Sequence, residues 1–124
     1  MGRSKKNLGD FGENVACECL KNEGCKILEQ NFYTNVGEID IIASDNGVIV
    51  FVEVKTRSSL KFGMPSEAIN RTKREHLYAA AEEYYRQNPT DCEMRFDAVE
   101  VIARCIKGDY ELISVNHIKD IYVK

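Results

Sequence analysis

Residues 37–57 read GEIDIIASDNGVIVFVEVKTR, two apolar runs of alternating character on either side of Asn46 and Gly47. Asn-Gly in that setting is the strongest short-range hairpin signal, because a two-residue type I′ turn needs positive φ at both central positions. Counting outward from the turn places Asp45 opposite Val48, Asp40 opposite Glu53 and Glu38 opposite Lys55. Facing residues in an antiparallel pair have Cβ atoms roughly 4.5–5.5 Å apart, where like charges repel. Asp40, Glu53 and Lys55 thus take positions that a buried hairpin would give to apolar groups, and an unpaired charge there costs several kcal/mol. A cation shared by Asp40 and Glu53 resolves the conflict. If the loop instead pairs Ser44 with Gly47, Asp40 faces Phe51 and keeps Glu53 as a diagonal neighbour; only a bulge would separate the two acids.

At 124 residues, 44% hydrophobic and 30% charged, the chain has the balance of one soluble globular domain spanning residues 1–124. No apolar stretch approaches the roughly 20 residues of a membrane span, and the basic start (Arg3, Lys5, Lys6) lacks the apolar region of a signal peptide. A cytoplasmic protein is expected. The net charge of -3 argues against a strongly basic nucleic-acid coat. A phosphate substrate stays open, since an acidic metal site recovers positive charge when it binds its ion. Five cysteines (Cys17, Cys19, Cys25, Cys92, Cys105) and two histidines (His76, His117) match no zinc spacing, so the cysteines are expected as reduced, mostly buried thiols.

Apolar residues from Leu8 to Leu20 recur at helical spacing between a capping Asn7 and a stop at Gly24. Strands follow at 26–33, 38–44 and 48–57, then a polar loop over 58–64 holding Gly63. Pro65 and Ser66 open a long helix that ends near Asn88 and Pro89. Strands near 94–103 and 110–115 bracket a turn at Lys107, Gly108 and Asp109. The order αβββαββ predicts an α/β (α+β) fold with a mixed sheet and helices packed on it.

Two further ionisable residues stand out. Glu13, beside Gly9 and Gly12 in the first helix, falls at the margin of the apolar stripe, from where it can look along the sheet toward the hairpin; a solvated helix edge is the plainer reading. Lys73 falls in the middle of the second helix's stripe of Ile69, Leu77, Ala80 and Tyr84, so it either snorkels to water or meets an acid. Carboxylates such as Asp40 and Glu53 suit a hard ion, Mg²⁺ or Mn²⁺. Such an ion lowers the pKa of a bound water and polarises a phosphoryl oxygen, while Lys55 can offset charge developing on the phosphate. A ladder of Glu38 with Lys55 and Glu53 with Arg57 would account for four of these charges but leaves Asp40 unpaired.

Asp40 followed by Glu53, Val54 and Lys55, after a helix bearing Glu13, resembles the PD-(D/E)XK nuclease superfamily. The fuller set GxxGE (Gly9–Glu13), GEIDIIA, VFVEVKTR, FGMPSEAI with Lys73 after it, and RFDAVEV resembles the YraN/UPF0102 family within it, a group similar to archaeal Holliday junction resolvases. The resemblance covers about Gly9 to Val101. It implies a restriction-endonuclease-like αβββαβ core, metal-site acids Glu13, Asp40 and Glu53, the Val54 carbonyl as a further ligand, Lys55 as catalytic lysine and Lys73 as an auxiliary catalytic group. Two features depart from it: Phe32 and Tyr33 follow Asn31 where many relatives carry a basic residue, and the chain ends in HIKDIYVK rather than an apolar tail. The ending is expected to alter an edge or an oligomer contact.

Arg57, Lys61, Arg71 and Arg74 are expected near the mouth of the site as nucleic-acid phosphate contacts, with a solvated face as the alternative. Arg95 and Asp97 are expected as a structural ion pair, and Tyr78, Tyr84 and Tyr85 as core and rim. The reading is a Mg²⁺- or Mn²⁺-dependent endonuclease acting on structured or branched DNA, with DNA favoured over RNA. A homodimer, no membrane association and no small-molecule cofactor go with it. The rival is a catalytically inactive nucleic-acid-binding or protein-interaction module on the same scaffold. Junction, flap and single-strand substrates are not separable from sequence.

Overall fold

Asn46 and Gly47 take φ values of 53° and 87°, the two positive angles a type I′ turn demands. In a computed structural model describing residues 7–58 and 71–122, this turn joins β2 (Glu38–Asp45) to β3 (Val48–Arg57). Before them come α1 (Leu8–Asn22) and β1 (Lys26–Tyr33), and after them α2 (Arg71–Gln87), β4 (Met94–Ile106) and β5 (Asp109–Ile118). Asn7 caps α1 as expected, its side chain accepting the Asp10 N–H at 2.7 Å. The expected loop past Ser58, Gly63, Lys61, the helix opening at Pro65 and Ser66, and Ile69 lie outside the described residues.

The strands form one sheet in the order β1-β2-β3-β4-β5, antiparallel throughout except for β3 and β4. That parallel pair needs a crossover, and α2 lies within it. Each face carries its own core, because central strands alternate sides with period two. Ala16, Cys17 and Leu20 of α1 pack on Ile41, Ala43, Val50, Val52, Val99 and Val101. Leu77, Ala80, Ala81 and Tyr84 of α2 pack on Phe32, Ile42, Phe51 and Phe96 of the other face. The expected α+β architecture, a mixed sheet flanked by helices, is the observed one. The cysteines differ from expectation: Cys17 and Cys25 are buried, but Cys19 is half-buried and Cys92 and Cys105 are exposed, all five as free thiols. Cys92 lies in the connection after α2 and Cys105 near the β4–β5 turn.

Arg95 and Asp97 form the expected pair, at 2.9 Å, within a larger network. Asp97 is fully buried, accepts the Asp120 N–H at 2.9 Å and meets His117 Nε2 at 2.7 Å. His117 Nδ1 meets Glu23 at 2.7 Å, so β5 is tied both to β4 and to the end of α1. A ring that faces a carboxylate at each nitrogen must donate from both, which only imidazolium does. The Asp97 hydrogen bond, and then that of Glu23, raise the His117 pKa above its ordinary 6.5 against the opposing effect of burial. A folded-state value raised in this way favours folding at low pH, and the benefit is lost as pH rises from about 6.5 through the higher folded value. Thermal melts across roughly pH 6 to 9 are expected to fall for the wild type and to flatten in His117→Gln. Parallel curves for the two proteins would contradict this.

Candidate active site

The site forms where the β2–β3 ladder gives out. Pairing runs from Asp45–Val48 to Ile41–Val52 and stops one pair short of Asp40 and Glu53. There the Asp40 side chain takes over from the backbone, its Oδ2 accepting the Val54 N–H at 2.8 Å. The expected ladder pairs, Asp40 with Glu53 and Glu38 with Lys55, are therefore replaced by a carboxylate cap on the diverging strand. Across the sheet Asn31 adopts a left-handed φ of 54° between the Gln30–Ile41 and Phe32–Ile39 pairs. Asn tolerates that region better than most residues. Ile39 joins the core under α2 while Ile41 joins the core under α1, so the alternation of β2 breaks at Asp40.

A close approach of α1 completes the acidic half. A Cβ on Gly12 would sit 1.9 Å from Thr56 Oγ1, so only glycine lets the helix lie this near β3. Glu13, the next residue, then comes beside β2: it, Glu38 and Asp40 each offer a carboxylate oxygen, all within 4.8 Å of one another. Burial first, and then the charge of Glu38, push the Glu13 pKa up, while a hydrogen bond with Asn31 pulls it back. Asp40 is raised to about 7, chiefly by burial, with Glu53, Glu13 and Glu38 adding to the rise and the Val54 amide opposing it. The acids destabilise one another's charge, which a cation would relieve.

Glu53 is 4% exposed and meets two ammonium groups on the same oxygen, Oε2: Lys55 Nζ at 3.2 Å and Lys73 Nζ at 3.0 Å. Lys73 thus meets an acid rather than snorkelling. Burial alone would lower its pKa, but the Glu53 hydrogen bond and charge outweigh it and raise the value. The ladder of Glu38 with Lys55 and Glu53 with Arg57 is not formed among the described residues. On β4, Glu100 lies in register with Lys55; it is also buried, and its Oε2 makes no hydrogen bond among the described residues. A cleft of about 330 Å³ opens over Asp40, Glu38 and Lys73, bounded by Tyr33, Gly37 and His76.

The donor set fits a hard divalent cation: three carboxylates converge, with Glu53 beside them. Of the expected ligands, Glu13 and Asp40 stand in this cluster, Glu53 is engaged by lysines, and Val54 meets Asp40 through its N–H. Glu38 is the member that the sequence reading left out, having placed it only in an ion-pair ladder; its signal was its position two residues before Asp40.

The basic residues separate. Arg57, at the end of β3, is half-buried, and Arg71 is exposed and pairs with Glu75 at 3.7 Å. Arg74 is half-buried against Tyr78 and Tyr122, while Lys61 lies outside the described residues. Tyr122 was not anticipated here at all. The chain's ending, expected to alter an edge or an oligomer contact, begins with His117 and Ile118 in the edge strand β5; past it Ile121 donates its N–H to the Phe96 carbonyl at 2.7 Å and Tyr122 packs on Phe96 and Tyr78. Burial, and then the charge of Glu53, push the Tyr122 phenol up to about 12.

Fold and site together define an α+β protein compatible with a restriction-endonuclease-like core, with an acid–lysine cluster where its central strands diverge. The sequence profile of the uncharacterised protein family UPF0102 matches residues 12–101. The chain belongs to that family. It is 49% identical over 120 residues to a UPF0102 protein of Caldicellulosiruptor saccharolyticus, spanning 96% of this chain and 99% of that relative. A UPF0102 protein of Caldicellulosiruptor bescii is 45% identical over 119 residues, 94% and 98% of the two chains. One from Clostridium botulinum strain 657 is 44% identical over 114 residues, 90% and 93%. No described helix is long and apolar enough to cross a membrane.

Proposed function

We propose that this chain is a cytoplasmic, divalent-metal-dependent endonuclease that hydrolyses phosphodiester bonds in structured or branched DNA. The observation that carries this is one pair of neighbours: three convergent carboxylates, Glu13, Glu38 and Asp40, beside Glu53 held by Lys55 and Lys73. Mg²⁺ or Mn²⁺ would be held by Glu13, Glu38 and Asp40, with Glu53 as a further ligand. The chemistry such an ion supplies is Lewis acidity toward a phosphoryl oxygen and toward the attacking water. Lys55 offers N–H groups to the charge that develops on the phosphate, and Lys73 holds Glu53 in place. Two copies would present two sites to the two strands of a branched substrate, the arrangement a homodimer supplies.

Labelled four-way, flap, duplex and single-stranded DNA, with matched RNA, incubated with Mg²⁺, Mn²⁺ or chelator, tests the reading. Metal-dependent cleavage of branched DNA is expected. It should drop by about a hundredfold or more in Lys55→Met, where Lys73 still pairs Glu53. Equal cleavage in chelator, or by Lys55→Met, would sink the assignment.

The double lysine pair on Glu53 also supports a second reading. An acid already neutralised by two lysines needs no ion, as in an inactive nucleic-acid-binding module on a nuclease scaffold. Binding of the four-way junction in chelator, without cleavage once metal is restored, favours this alternative.

A further inference from the structure

Arg74 has an unusual seat. Its guanidinium carbon lies 5.2 Å from the centre of the Tyr122 ring and 5.9 Å from that of Tyr78. The two rings stack on each other at 6.0 Å and 29°, and Phe96 supports both, 4.6 Å from Tyr78 and 5.6 Å from Tyr122. Tyr122 reaches this place because the chain after β5 turns back over β4. Asp120 adopts a φ of 58° and gives its N–H to Asp97, and Ile121 gives its N–H to Phe96. The same network that fixes His117 thus latches the tail.

Arg74 makes no salt bridge among the described residues, whereas Arg71, one turn earlier, pairs with Glu75. A guanidinium stacked on aromatic rings spends its face on them and keeps its in-plane N–H groups for a planar or tetrahedral anion. Its neighbour in sequence is Lys73, which reaches into the acid–lysine cluster. The seat therefore leaves the guanidinium without a salt bridge among the described residues, next in sequence to a lysine of the cluster.

We propose that Tyr122 is a positioning residue of the site: its ring, latched over β4 by the chain's final turn, holds Arg74 as a clamp for a nucleic-acid backbone phosphate. This inference rests on the nuclease reading above. The ring does the positioning, and the phenol oxygen, buried without a hydrogen-bond partner among the described residues, plays no part in it.

The test uses a fluorescein-labelled four-way DNA junction: anisotropy in chelator for binding, and cleavage in Mg²⁺ or Mn²⁺ for kinetics. Tyr122→Ala is expected to weaken binding by about five- to tenfold, with the loss falling on KM rather than kcat. Tyr122→Leu, which keeps apolar volume against Phe96, should behave like the alanine variant and guards against unfolding. Tyr122→Phe should restore the affinity. Combining Tyr122→Ala with Arg74→Ala should bind no more weakly than Arg74→Ala alone, because the tyrosine acts through the arginine. Side-chain NMR of Arg74 should show restricted guanidinium rotation in wild type and free rotation in Tyr122→Leu. Additive losses, a failed rescue by phenylalanine, or a freely rotating Arg74 in the wild type would overturn the seat while leaving the nuclease reading intact. A wild type that neither binds nor cuts the junction would overturn both.

Discussion

Asp40→Asn is expected to make the protein more stable above neutral pH and, on the nuclease reading proposed above, to slow metal-dependent cleavage, two effects with one origin. Burial and the charges of Glu53, Glu13 and Glu38 raise the Asp40 pKa to about 7. A carboxyl whose folded-state value is raised favours folding while protonated, and that contribution is lost as pH rises from its ordinary 3.8 through about 7. At pH 8 the ionised side chain therefore costs stability. Asparagine removes the charge and keeps an oxygen for the Val54 N–H, so melting at pH 8 should show a gain on the order of 2 kcal/mol. The gain should vanish below about pH 4, where the wild-type carboxyl is protonated in both states. Loss of a charged ligand should weaken Mg²⁺ or Mn²⁺ binding and slow cleavage of a four-way junction by about a hundredfold or more. Added metal should stabilise the wild type and leave the variant unmoved. An asparagine variant as unstable as the wild type at pH 8, or one that still gains stability from metal, would contradict this account of the cluster.

The stability gain bears on why such a cluster persists in a chain of this size. Acids that raise one another's pKa are a cost to folding, and the aligned strands could have been closed with apolar residues. Here the ladder is interrupted instead, and a carboxylate substitutes for a carbonyl at the point of interruption. Strain of this kind is legible only in part. Asn46 and Gly47 announced their turn because the backbone angles restrict the residue types, and the alternation of the flanking runs then set the register near the turn. Register counting assumes that the alternation continues. The counted register holds as far as Ile41–Val52, and the alternation then breaks at Asp40, across from Asn31, whose residue type hints at a left-handed conformation without demanding one. Lys73 could be recognised as out of place from helical periodicity alone, whereas its partner needed the fold. Tyr122 carried no signal, since nothing local says that a strand's trailing residues will fold back over their neighbour. The exposed cysteines were misplaced for a similar reason: composition says what thiols tolerate, and only the fold says which of them stand at its surface.

Gly12→Ala is expected to destabilise the fold and weaken metal binding together, although alanine is the better helix former. In an exposed helix the exchange would gain roughly 0.5–1 kcal/mol. Here the added Cβ would stand 1.9 Å from Thr56 Oγ1 and 2.8 Å from both Thr56 Cβ and Cγ2, all atoms of a branched side chain on a central strand. The helix must then move away from β3, at a typical overpacking cost of about 1–3 kcal/mol that exceeds the propensity gain. Glu13 follows Gly12 directly, so any retreat of α1 draws its carboxylate away from Glu38 and Asp40 and loosens the three-acid cluster. A second substitution separates the steric cause from others. Thr56→Ala removes Oγ1 and Cγ2 but leaves its own Cβ at 2.8 Å, so Gly12→Ala/Thr56→Ala should recover only part of the loss. Gly12→Ala/Thr56→Gly should recover the spacing, and with it the affinity for Mg²⁺ or Mn²⁺, even though glycine costs some strand stability. Chemical denaturation with metal titration on the same four proteins reads both quantities. If Gly12→Ala alone melted and bound metal like the wild type, close contact of α1 with β3 could not be what positions Glu13.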